Sequence, residues 1–93
     1  MSRKETLSIH EYRFTVVYEP AEEGGYVVTC PALPAVVTQG ETIEEARAMA
    51  ADAIHLVLQD LIEAGEPIPS DAPAVRPAHE PIRELLTVAV QGV

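Results

Sequence analysis

Tyr12, Phe14, Val16 and Tyr18 alternate with Arg13, Thr15 and Val17. This period-2 pattern of aromatic and β-branched residues predicts a strand with one buried face. Pro20-Ala21-Glu22-Glu23-Gly24-Gly25 supplies turn chemistry, and Tyr26-Val27-Val28-Thr29-Cys30 resumes the strand pattern. The two segments predict a β-hairpin with a loop longer than the tightest kind. Pro31 and Pro34 lack the N–H that a central strand must donate, so Pro31-Ala32-Leu33-Pro34 predicts a rigid corner. Val36-Val37-Thr38 then gives a short third strand and completes an antiparallel meander. Residues 1–10 are polar and unpatterned, either a frayed end or an extension of the first strand.

The period changes to 3.6 at Ile43. Ile43, Ala46, Ala50, Ala53, Ile54, Val57 and Leu61 fall on one face at 100° per residue, with Glu44, Glu45, Asp52 and Gln59 on the opposite side. Thr42 followed by Glu45 is a capping box: the Thr hydroxyl accepts the Glu45 N–H, and the carboxylate reaches back to the Thr42 N–H. Gly40 before it suits a strand-to-helix turn by tolerating positive φ. Gly65 and Pro67 predict the stop, giving a helix about 33 Å long. Met49 and Leu56 stand on a flank of this helix, one heptad apart. They are either ordinary exposed apolar side chains or the seam of a homodimer. The five prolines between Pro67 and Pro81 predict an extended connection. Leu85-Leu86-Thr87-Val88-Ala89-Val90 is apolar on both sides of its alternation. That composition predicts a strand buried within the sheet, often parallel, reached by a right-handed crossover if it lies beside the first strand. The fold class is therefore α+β. A single β-β-β-α-β domain over residues 1–93 packs a three-stranded meander on one long helix, and a fourth strand returns to it.

Composition narrows the functional classes. The chain has 93 residues, 47% of them hydrophobic, which is enough for one small core. No stretch approaches the roughly 18 apolar residues of a membrane span. Met1-Ser2-Arg3-Lys4-Glu5 is followed by no apolar signal region, and the lone Cys30 forms no internal staple, so a reducing cytoplasm is the expected location. The net charge is −9, from 15 acidic and 6 basic residues. Three of the bases, Arg3, Lys4 and Arg13, lie in the first thirteen residues. From Phe14 onward only three arginines oppose thirteen carboxylates. Such a surface is unsuited to phosphate contacts, so direct nucleic-acid binding is not expected. It favours solubility and rapid capture of a basic partner.

No catalytic constellation emerges. Cys30 has no activating base in its strand setting and predicts a buried small hydrophobe. His10, His55 and His79 lie on a tail, a helix and a loop, without zinc-ligand spacing. Glu22-Glu23 and Glu44-Glu45 are adjacent carboxylates that point in different directions, suited to a solvated turn and a helix N-terminus. No phosphate-binding glycine loop and no nucleophile elbow occurs, so no cofactor and no metal is expected.

Four blocks in order carry a family pattern: Gly-Gly-Tyr-Val-Val at 24–28, Cys-Pro-Ala-Leu-Pro at 30–34, Thr-Gln-Gly-Glu-Thr-Ile-Glu-Glu-Ala at 38–46 and Glu-Ala-Gly-Glu-Pro-Ile-Pro at 63–69. Together they resemble the HicB family of antitoxins (UPF0150-type), over roughly residues 11 to 90. The family commonly has Leu-Pro-Gly-Cys at the second corner, where this chain has Leu33-Pro34-Ala35-Val36. The resemblance implies a partial RNase H-like fold and a non-enzymatic role. It also implies a partner: a small basic HicA-type ribonuclease toxin that cleaves mRNA, bound and occluded at its active site. Ribonuclease H chemistry needs clustered carboxylates on the sheet to hold two metal ions. Tyr12 to Tyr18 and Leu85 to Val90 contain none, and Glu84 stands only at the edge.

Many family members carry a C-terminal DNA-binding segment. The sequence reaches Val93 directly after the last apolar run, so operator contact by this domain is not expected. The carboxylates of Glu22, Glu23 and Glu44 are the expected toxin-steering groups, with Leu33 at the second corner giving an apolar contact. Met49 and Leu56 are the expected dimer seam of a homo-oligomer, dimeric or higher. Two alternatives stay open: a stand-alone homo-oligomeric module without a toxin partner, with or without a ligand of its own, and a transcriptional autoregulator.

Overall fold

A computed structural model describes residues 8–72 and 82–92. Its elements are β1 (Ser8–Pro20), β2 (Tyr26–Thr29), β3 (Val37–Gly40), α1 (Ile43–Ala64) and β4 (Ile82–Gly92). The sheet order is β3-β2-β1-β4, with every neighbouring pair antiparallel. The α+β architecture is the one the sequence predicts, with α1 covering one face of the sheet. Ser8 to His10 extend β1; residues 1–7 lie outside the described part.

Three local expectations are corrected. The third strand starts one residue later than predicted, because Val36 turns inward. Its N–H donates to the Leu33 carbonyl at 2.9 Å, and its side chain is buried in the core. Gly40 is a glycine for want of space, not for its φ, which is not positive. A Cβ there would lie 2.5 Å from the Ala46 nitrogen, so only a glycine lets β3 enter the first turn of α1 so closely. The capping box forms with one bond displaced. Glu45 N–H donates to the Thr42 hydroxyl at 3.1 Å, while the Glu45 carboxylate accepts from the Glu41 N–H at 2.7 Å rather than from Thr42. At the other end, Gly65 is left-handed (φ 71°) and caps the Leu61 and Ile62 carbonyls as expected.

The larger correction concerns β4. It pairs antiparallel with β1 from Tyr18↔Ile82 to Ser8↔Gly92 and forms the end of the sheet, not a buried parallel strand. The helix carries the chain away from the Glu22 turn, and β4 begins at that turn's end of the sheet, opposite Tyr18. A strand entering from that end must run against β1. Residues 67–72 of the proline-rich connection are irregular as predicted, and 73–81 lie outside the described residues.

Phe14, Val16 and Tyr18 of β1, Val28 of β2 and Leu86, Val88 and Val90 of β4 face the helix. Ala46, Ala50, Ile54 and Leu58 pack onto them, all fully buried. Each large side chain removed from water contributes roughly 1.5–3 kcal/mol. Leu58 was absent from the predicted stripe. It stands about 80° round from Ala50, on the flank that carries Arg47. Arg47 reaches Glu84 of β4, so the buried arc is skewed toward the side on which β4 widens the sheet.

Candidate partner-binding surfaces

The register divides the molecule into two ends. Tyr26 pairs with both Pro20 and Gly40, so the β1–β2 turn and the entry to α1 share one end. Their approach is close: a Cβ on Gly25 would lie 2.6 Å from the Gly40 carbonyl oxygen. Gly24 and Gly25 adopt positive φ in this turn, where side chains are strained. The result gathers the exposed carboxylates of Glu22, Glu23, Glu41, Glu44 and Glu45 at one pole. No Lys or Arg occurs between Arg13 and Arg47. The α1 N-terminus there also favours negative charge.

Leu33 is at the other end, in the β2–β3 corner beside the C-terminal half of α1. It is 3% exposed and belongs to the core, so it backs a surface instead of projecting from it. That surface is an apolar groove between the corner (Ala32, Pro34, Ala35) and Val57, Leu61 and Pro67. The structure therefore brings Glu22, Glu23 and Glu44 together and places Leu33 apart from them. Met49 and Leu56 are exposed, on the helix flank away from Arg47 and hence from β4.

Two side-chain networks had no signal in the sequence. Glu84 accepts from the Tyr18 hydroxyl at 2.6 Å and from Arg47 Nε at 2.8 Å, tying β1, β4 and α1. The Arg47 guanidinium, and then the Tyr18 hydroxyl, hold the Glu84 carboxyl below its ordinary range. Burial beside this carboxylate pushes Tyr18 up to about 12. Asp71 spans the other end of β1, accepting the Thr15 N–H at 2.8 Å and the Thr15 hydroxyl at 2.7 Å. Thr15 needs that partner because β2 stops at Thr29, opposite Val17. Cys30 is buried, and desolvation raises its thiol pKa, which leaves it poorly nucleophilic. Among the described residues, no three His, Cys, Asp or Glu side chains converge as a metal site, and no helix is long and apolar enough to cross a membrane.

Residues 14–86 match the family described as HicB-like antitoxin of bacterial toxin-antitoxin systems. The chain belongs to that family. It is 45% identical over 65 residues to Antitoxin HicB 1 of Photorhabdus laumondii, covering 70% of this chain and 42% of that protein. It therefore spans less than half the length of that relative. A UPF0150 protein of Synechocystis, ssr1765, is 38% identical over 66 residues, with 71% and 84% covered. Among solved structures, the N-terminal domain of the Burkholderia pseudomallei antitoxin HicB superposes with a TM-score of 0.70 at 26% identity, over 80% of this chain and 94% of that one. The HicB-like fold thus accounts for the four-stranded antiparallel sheet and its single helix.

Proposed function

We propose that this HicB-like domain acts as an antitoxin: it binds a small basic mRNA-cleaving toxin of the HicA type and covers its active site, without chemistry of its own. The observation that carries the reading is the acidic pole. Five exposed carboxylates lie in the β1–β2 turn and at the entry to α1, which Gly25 and Gly40 hold together, with no cation in the intervening sequence. A field of that sign attracts a basic partner and raises its association rate by about 10- to 1,000-fold at low ionic strength. The groove backed by Leu33 supplies apolar area at the opposite end. A toxin contacting both ends would lie along the helix side of the molecule. Self-association through Met49 and Leu56 forms a second part of the proposal, resting on their exposure of 45% and 62%. Sedimentation of the Met49→Glu, Leu56→Glu double variant checks it, with loss of mass expected.

The test of toxin binding is stopped-flow association of the purified chain with a basic HicA-type toxin across a salt series. Glu22→Lys with Glu23→Lys is expected to slow association at least tenfold at low salt and to flatten the salt dependence. An unchanged on-rate would take the acidic pole out of the binding site.

A further inference from the structure

We infer that the outer edge of β4 is a self-pairing surface, on which a second copy of this chain adds its own β4 antiparallel across a two-fold axis at Thr87. The Thr15 N–H points at Asp71, away from β4. Thr15 faces Leu85 in the register, so this is a non-hydrogen-bonded pair of the ladder. Leu85 must then direct its own N–H and C=O away from β1. By alternation Thr87 and Ala89 do the same, which leaves six backbone groups along the sheet margin. Among the described residues no strand lies beyond β4.

The two margins of this sheet differ. β3 has four residues and sits between a proline corner and the helix entry. β4 has eleven, and Leu85 to Val90 contains no charge, no proline and no glycine. A long uncharged edge of this kind is a template for another strand, and proteins that stay monomeric usually blunt it with lysine, proline or a bulge. None of these devices is present between Leu85 and Val90.

The occupant follows from the strand itself. Thr87 is the midpoint of Ile82–Gly92, so a two-fold there uses the full length of both strands. In this register Thr87 opposes its symmetry mate, and Leu85 opposes Ala89 on either side. All three are outward-pointing positions and therefore hydrogen-bonded pairs. No two like charges meet, and Glu84, already held by Arg47 and Tyr18, falls opposite Val90. Antiparallel pairing also sends the acidic poles to opposite ends of an eight-stranded sheet, which lowers repulsion between two chains of charge −9. With one usable margin per chain, the pairing closes as a dimer and does not propagate.

Thr87→Pro is the direct test. Its ring removes only an outward N–H, so the β1–β4 ladder keeps its bonds, as an edge-strand proline allows. The variant is expected to halve the sedimenting mass of the assembly while retaining the helical circular dichroism of the wild type. Thr87→Cys gives a second readout that does not depend on how the proline variant folds. Two hydrogen-bonded partners have Cα atoms about 5.5 Å apart, within disulfide reach, whereas Cys30 is buried. Mild oxidation is expected to cross-link Thr87→Cys into a covalent dimer that persists in the Met49→Glu, Leu56→Glu background. A wild-type chain that sediments at 10.0 kDa, a folded proline variant of unchanged mass, or a cysteine variant that does not cross-link would each overturn the inference.

Discussion

The two ends of the sheet are closed in different ways. At the acidic end, contacts are between neighbours in sequence or between backbones: Thr42 caps Glu45, Glu45 holds Glu41, and Gly25 lies against Gly40. At the other end, β1 outruns β2, and its half-buried Thr15, which β2 does not reach, is satisfied by Asp71 from fifty-six positions away. The first end is set by missing side chains and the second by one added carboxylate. Steric closure is unforgiving, because backbone atoms cannot rotate out of the way. Closure by a carboxylate can be partly replaced by water. The comparison therefore predicts that small changes cost more at the acidic end.

Gly40→Ala is the strongest way to break it. The new Cβ would meet the Ala46 nitrogen at 2.5 Å, the Ala46 Cα at 2.8 Å and the Glu45 carbonyl carbon at 2.9 Å, all of them main chain. Relief requires β3 and the first turn of α1 to separate, which disturbs the buried Ala46 contact. The expected loss is on the order of 3 kcal/mol or more, a large share of the roughly 5–15 kcal/mol that holds a domain together. Urea unfolding measures it. A loss under 1 kcal/mol would mean that this end is not sterically closed.

Much of this fold was legible because the decisive signals were periodic and local. The switch from period 2 to period 3.6, the Thr42–Glu45 box and the Gly65 stop place the helix, β2 and β3 within a residue or two, whereas β1 begins at Ser8, four residues before the alternation at Tyr12. Gly40 was recognised for the wrong reason. Its neighbourhood in sequence suggests a turn, but the constraint comes from packing against Ala46. β4 misled for a related cause: Leu85 to Val90 is apolar on both faces, which suits a buried strand as well as an edge that awaits a partner. At the surface, Glu22, Glu23 and Glu44 do converge, because a hairpin turn and a helix entry share one end. Leu33 does not join them, since the meander puts the second corner at the far end. Asp71, Arg47 and Glu84 were invisible as a group, because nothing in their spacing relates them to Thr15 or Tyr18.

Asp71→Ala tests the opposite end. It removes two hydrogen bonds, both accepted by a carboxylate from partly buried donors on Thr15. Bonds of that kind contribute about 1.5–3 kcal/mol, and water entering beside Thr15 recovers part of it. A loss of about 2 kcal/mol is expected, smaller than for Gly40→Ala, with amide exchange at Thr15 speeding up more than at Val28. If Asp71→Ala cost more than Gly40→Ala, the ranking of the two ends would reverse.

The smallest effect belongs to the carboxylate that joins β1, β4 and α1 between the two ends. Glu84 ionises more readily in the folded chain than in the unfolded one, because Arg47 and then Tyr18 favour its charged form. The unfolded state therefore takes up the proton first as pH falls. The stability Glu84 supplies is present above the ordinary carboxylate range and is lost as pH drops through its lowered folded value. Arg47 is 41% exposed, so solvent screens the pair and its contribution is expected to be smaller than that of Asp71. Tyr18 acts at the other limit: its pKa, raised from 10.0 to about 12, makes stability fall over that interval as pH rises. Glu84→Gln separates the acid effect from the remaining carboxylates. At neutral pH its urea midpoint should lie below that of the wild type, and the two should converge as Glu84 itself becomes protonated. A gap of constant size down to strong acid would show that Glu84 contributes through packing and not through charge.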